Sequence, residues 1–253
     1  MQLHYQVHAQ NQGEGPPLVL LHGLFGSADN WGSIAKHFSQ HYQVISVDLR
    51  NHGRSPHSAS QTYPEMADDL SALCDALGLA QIHLLGHSLG GKVAMQFATQ
   101  YPQKVRKLII VDMAMRAYQD RYTQLMDHML AVNLSQMASR SEVDKALADA
   151  IPNVRVRQFL LTNLVNHEGQ LQWRINLPAL KANYATLIAA VAVHFDPPSL
   201  FIRGERSDYV QDSDITELQQ HFVQSEFVTL PTDHWVHAEQ PQLFIQAVED
   251  FLS

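Results

Sequence analysis

Short β-like runs, rich in apolar residues, alternate along this chain with longer stretches in which apolar residues recur every three or four positions. The runs are "PLVLLH" (17–22), "YQVISVD" (42–48), "QIHLLG" (81–86), "KLIIVD" (107–112), "SLFIRG" (199–204) and "SEFVTLP" (225–231). Runs of this length and composition predict strands. The periodic stretches 30–40, 64–77, 89–100, 213–222 and 240–252 predict helices. Within 64–77, Met66, Leu70, Leu73, Cys74 and Leu77 form one stripe, with Pro64 suited to the first turn and Gly78 to the stop. Strand then helix, repeated, predicts the α/β class: a mostly parallel central sheet with helices on both faces.

The rhythm breaks between 113 and 195, where the patterns are helical and no strong strand is apparent. Tyr118, Tyr122, Leu125, Met126 and Met129 fall on one helical face. This predicts a helical cap at 113–195 inserted into a core made of 1–112 and 196–253.

Candidate chemistry sits where the 81–86 strand gives way to a helix, at "GHSLGGKVAM" (86–95). Small residues on either side of Ser88 allow the sharp strand-to-helix turn that lifts a serine hydroxyl clear of a sheet, where ligands of open α/β folds gather. A serine needs a base to become a nucleophile near neutral pH. Of 15 histidines, His234 in "LPTDHWVHAEQP" follows the last predicted strand and precedes the last helix, where chain order places the base of such hydrolases. His237, three residues on, is its rival. The two could also be read as a metal pair, but no H-E-x-x-H spacing accompanies them and no metal is expected. An oxyanion formed at Ser88 needs N–H donors. Leu89 supplies one, and the glycine-rich bend "LHGLFGS" (21–27) offers that of Leu24 as the second. Phe25 and His87 beside these turns, Trp235 beside the candidate base, and Met113, Met115, Tyr118 and Tyr122 after the 107–112 strand are the candidate substrate contacts. The acid that would orient His234 is left open by topology alone. Asp208 follows the penultimate strand, in "RGERSDYV", whereas Asp112 closes the strand expected beside that of the serine, twenty-four residues after Ser88.

Charge and cysteine content narrow the partners. With 17 Lys+Arg against 25 Asp+Glu, the formal charge is −8 over 253 residues, which gives no attraction to nucleic acid or to anionic membranes. The single cysteine, Cys74, makes no internal disulfide, and no apolar stretch reaches the length of a membrane span, so a soluble, cytoplasmic protein is expected.

The segments "HGLFGSADNW" (22–31), "VDLRNHGRSP" (47–56), "GHSLGGKVAM" (86–95), "WRINL" (173–177) and "HWVHAEQP" (234–241) together resemble the YbfF-type esterases of the α/β-hydrolase superfamily over nearly the whole chain. The resemblance implies an acyl-ester or thioester hydrolase with a small helical cap and no cofactor, acting on a small-molecule substrate. It also implies a serine after the penultimate strand and an aspartate at the end of the preceding one. That selects Asp112 as the acid, with Ser207 as an auxiliary partner of His234, over Asp208. Two other readings use the same residues. One is a carbon–carbon bond hydrolase on a small keto acid, which needs a cation such as Arg50, Arg54 or Arg174 for the substrate carboxylate. The other is a non-enzymatic small-molecule receptor.

Overall fold

A computed structural model describes residues 1–9 and 15–253. Among the described residues, seven strands form one sheet in the order β1-β3-β2-β4-β5-β8-β9. They are β1 (Tyr5–His8), β2 (Leu18–Leu21), β3 (Val44–Val47), β4 (Ile82–His87), β5 (Val105–Val111), β8 (Ser199–Gly204) and β9 (Ser225–Leu230). All neighbours are parallel except β1, an edge strand that runs antiparallel to β3.

Alternate residues of the same apolar run serve opposite faces. Val19, Leu21, Leu84 and Ile110 pack under α2 (Tyr63–Ala76) and α3 (Leu89–Gln100), while Leu18, Leu20, Leu85 and Ile109 pack against α1 (Gly32–Phe38) and α11 (Pro241–Leu252). This two-sided cover is why these strands are mostly apolar rather than strictly alternating. Helix α2 starts at a capping box, in which the Glu65 carboxylate accepts from the Thr62 N–H at 3.0 Å, and it stops before Gly78, whose φ is +69°. Helices α9 (Asp212–His221) and the short α10 (Val236–Glu239) complete this part of the chain.

Between β5 and β8 lie α4 (Thr123–Ala131), α5 (Arg140–Leu147), α6 (Val154–Leu161), α7 (Leu177–Ala182) and α8 (Tyr184–Ile188). The segment also holds an antiparallel hairpin of β6 (Leu164–His167) and β7 (Gln170–Trp173), where no strand was expected. Its two turn residues, Glu168 and Gly169, have φ of +52° and +85°, the positive pair that a two-residue hairpin turn requires. The stems of the segment pair with each other through Tyr118 N–H to the Ile188 carbonyl (2.8 Å) and Val191 N–H to the Met115 carbonyl (2.9 Å). Among the described residues no helix is long and apolar enough to cross a membrane.

Candidate active site

Strand β4 ends at His87, and α3 begins at Leu89, so Ser88 alone makes the turn. Its φ of +53° is a conformation that costs a non-glycine residue free energy and survives only where the surroundings enforce it. They do so by contact: a Cβ at Gly86 would lie 2.1 Å from the Gly90 carbonyl oxygen, and one at Gly90 would lie 2.6 Å from those of Leu21 and His22. Glycine at 86 lets α3 approach β4, and glycine at 90 lets it approach the end of β2, and together these contacts hold Ser88 in its turn.

Asp112 follows directly on β5 and is buried. Its Oδ1 accepts the Gly204 N–H at 3.0 Å, and its Oδ2 accepts the His234 Nδ1–H at 2.7 Å. With Nδ1 donating, the His234 Nε2 carries the lone pair, and it lies 2.9 Å from Ser88 Oγ. Ser88, His234 and Asp112 thus form one hydrogen-bonded line drawn from the ends of β4, β5 and β9. Tyr209 stacks nearly parallel on the His234 ring, with centroids 3.7 Å apart. His87 donates from Nε2 to the His234 carbonyl at 2.9 Å, tying the histidine loop to β4. Burial, and then the proximity of His234 and His237, holds the His87 imidazole well below its ordinary pKa and therefore neutral.

Three expectations need correction or closure. Ser207 does not meet His234; its hydroxyl donates to Asp112 Oδ2, so it acts on the carboxylate instead. Asp208, one residue later in the turn, points the other way and pairs with Arg121, whose Nη1 is 2.9 Å from its Oδ1. His237 is not the partner of Ser88, whose Oγ meets His234; it is buried against Trp31 with ring centroids 4.5 Å apart, and burial pushes its pKa down to about 4. Among the described residues no three His, Cys, Asp or Glu side chains are grouped so as to hold a metal ion.

The glycine bend at 23–26 is set by His22, which the sequence reading left without a role. Its Nδ1–H donates to the Gly23 carbonyl at 2.8 Å, and its Nε2 accepts the Leu49 N–H at 3.0 Å. Burial lowers the His22 pKa, so this neutral tautomer is the stable one. The Gly23 carbonyl also accepts the Gly26 N–H at 3.0 Å. In a trans peptide the N–H points opposite to the carbonyl, so anchoring that oxygen aims the Leu24 N–H away from His22. The Leu89 N–H, in the first turn of α3, has no partner within its helix and is likewise free to meet an anion.

Two cavities share Ser88, Leu24 and Tyr122 in their walls. The larger, about 170 Å³, also touches Phe25, His87, Trp235 and Phe159. The smaller, about 40 Å³, touches Leu89, Met113, Tyr118 and Tyr209. Met115 lines neither, a correction to its expected role: its carbonyl is taken by the returning stem and its side chain is buried in the core. Arg50, Arg54 and Arg174 are also absent from both walls, being engaged with Asp69 (2.7 Å), Asp29 (3.3 Å) and Asp29 (3.7 Å). None of the three cations named for the keto-acid reading lines these walls; Arg121, which lines the smaller one, is paired with Asp208. Tyr209 was missed although it stands in the singled-out stretch "RGERSDYV", because nothing in that stretch tells which ring the loop lays on the histidine.

A family model described as alpha/beta hydrolase fold matches residues 16–241. The chain is 35% identical to "Esterase YbfF" of Escherichia coli, with 97% of this chain and 96% of that protein covered. It is 40% identical to "sn-1-specific diacylglycerol lipase ABHD11" of Mus musculus, over 94% of this chain and 81% of that protein. A solved structure titled "Marine microorganism esterase" superposes with a TM-score of 0.94 at 36% identity, covering 99% of both chains. With a serine–histidine–aspartate line at the strand ends and these relatives along its full length, the chain belongs to the alpha/beta hydrolases, among the YbfF-type carboxylic ester hydrolases.

Proposed function

We propose that this enzyme cleaves short- to medium-chain acyl esters or thioesters through an acyl-enzyme on Ser88. The observation that carries the reading is the pair of distances along one line, 2.9 Å from Ser88 Oγ to His234 Nε2 and 2.7 Å from His234 Nδ1 to Asp112. Ser88 Oγ bonds to the substrate carbonyl carbon while its proton passes to His234 Nε2, and the Leu24 and Leu89 N–H groups hold the oxyanion. The imidazolium, stabilised by Asp112, gives that proton to the leaving oxygen or sulfur as its bond to carbon breaks. Water then repeats the sequence, its proton passing through His234 to Ser88 as the acid is released. The chain's own groups account for each proton and charge, so the reading calls for no cofactor.

Phe25, His87, Tyr122 and Trp235 would contact substrate in the larger cavity and Met113 and Tyr118 in the smaller, with residues 113–195 serving as the cap over Ser88. The relatives named esterase and diacylglycerol lipase share the carboxylic ester bond in those names, which supports the bond type and leaves the acyl group to experiment. The lone, buried Cys74 suits a reducing compartment, and we assign the enzyme to the cytoplasm.

The deciding experiment combines a fluorophosphonate probe with graded p-nitrophenyl esters and acyl-CoA thioesters. Stoichiometric mass addition on Ser88 together with turnover is expected. Turnover with Ser88 unlabelled would end the reading.

A further inference from the structure

The two cavities at Ser88 differ in which of them meets the base. The larger has His234 in its wall; the smaller does not, and is faced by the rings of Tyr63, Tyr118, Tyr122, Tyr184 and Tyr209 and by Leu187. Resting on the assignment of Ser88 as nucleophile and His234 as base, we propose that the smaller cavity receives the acyl chain and the larger receives the leaving alcohol or thiol. The enzyme then selects acyl groups of only a few carbons while accepting bulky leaving groups.

Proton transfer fixes the direction. The leaving atom must take its proton from His234 Nε2, so it departs on the side where His234 is exposed, into the larger cavity. The carbonyl oxygen faces the N–H groups of Leu24 and Leu89. The one substituent of the tetrahedral carbon still unplaced, the acyl chain, is directed into the remaining space, where Leu89 and the tyrosines form the wall.

Size and chemistry follow. The smaller cavity, about 40 Å³, has roughly a quarter of the volume of the larger, about 170 Å³, so it suits the shorter of the two substituents and the larger cavity the bulkier one. The tyrosine hydroxyls are already engaged by the protein. That of Tyr63 donates to the Leu187 carbonyl (2.6 Å), that of Tyr118 to the Tyr209 carbonyl (2.8 Å), and those of Tyr122 and Tyr209 pair at 3.2 Å. The Tyr184 hydroxyl accepts the Arg121 N–H (3.4 Å), and the Arg121 guanidinium in the same wall is paired with Asp208, so beside Gln119 the surface left for a ligand is mostly ring carbon and aliphatic side chain, suited to a saturated chain. Because the same bonds hold the rings in place, the wall resists moving aside for a longer chain.

Two ester series separate the cavities. One varies the acyl group from acetyl to decanoyl with p-nitrophenol as leaving group. The other holds butanoyl fixed and compares phenyl, naphthyl and biphenylyl esters, whose phenols have similar acidity. For the wild type, kcat/KM should peak between propanoyl and pentanoyl and fall at least about tenfold by octanoyl, while the aryl series varies by less than about threefold. Leu187→Ala should move the acyl optimum to longer chains and leave the aryl series unchanged. Phe159→Ala, in the larger cavity, should alter only the aryl series. Decanoyl turned over as well as butanoyl by the wild type, or the two variants acting on each other's series, would overturn the assignment. Should Leu187→Ala fail to fold, the wild-type cutoff and Phe159→Ala still decide. Fluorophosphonate labelling keeps the failures apart: labelled Ser88 with the wrong selectivity removes only the cavity assignment, whereas unlabelled Ser88 removes the nucleophile itself.

Discussion

At the scale of single residues, the separate fates of Asp112 and Asp208 make the sharpest test. Asp112 accepts from His234 Nδ1, Gly204 N–H and the Ser207 hydroxyl, whereas Asp208 is exposed and bound to Arg121. In Asp112→Asn an amide N–H facing Nδ1 would favour the tautomer protonated on Nε2, which cannot take the Ser88 proton. A loss of about 10³ to 10⁴ in kcat is expected, with less than about threefold for Asp208→Asn, and steady-state kinetics on one ester checks both. Ser88→Ala should lower kcat by roughly 10⁴ to 10⁶ with an unchanged melting temperature, measured on the same ester. Ser88 was legible because its strained turn demands glycine at fixed neighbouring positions, which the string itself displays. Ser207 was only half legible: its place after β8 could be read, but whether a hydroxyl one turn away reaches the acid or the imidazole depends on the loop's path.

The elements that bring these residues together differ in how openly they announce themselves. The strands β2, β4 and β5 carry strong apolar signals, each with at least three consecutive buried residues, because both faces are covered there. The hairpin β6–β7 and the edge strand β1 are four residues each and largely half-buried or exposed, so their apolar signal is weak. Asn163, between α6 and β6, joins the inserted segment to the oxyanion bend. Its Nδ2–H donates to the Phe25 carbonyl at 2.7 Å, and Phe25 has a φ of +62°. Asn163→Ala leaves that buried carbonyl without its donor, which costs about 1–3 kcal/mol. Chemical denaturation should show that loss, and kcat/KM should fall with it as the bend carrying the Leu24 N–H loosens. Stability that drops while kcat/KM stays at wild type would mean that the bend holds its shape unaided.

For the molecule as a whole, Lys92 links core and inserted segment through a charge that burial disfavours. It is fully buried in α3, its ammonium donates to the Arg116 carbonyl at 2.9 Å and to that of Ala189, and it lies 4.9 Å from the Tyr118 ring centre. Burial, with Arg116 adding to it, lowers its pKa to about 7. Between about pH 7 and the ordinary lysine value the unfolded chain binds more protons at this site than the folded one, so this residue makes stability rise with pH there. Lys92→Met removes that contribution. Melting temperatures of the two proteins from pH 6 to pH 10 should show the wild type gaining on the variant above pH 7, and parallel curves would refute a depressed pKa. The sequence by itself determined the layered α/β plan, the serine turn and the late histidine, because these rest on local rules: apolar periodicity, the glycine a tight turn needs, and order along the chain. Only the tertiary structure decided that Ser207 serves Asp112 rather than His234, that Tyr209 covers the histidine, that Met115 is buried in the core, and that two unequal cavities flank Ser88. Each of those depends on where side chains from distant segments meet, and the spacing of residues along a chain carries no information about that meeting until the chain has folded.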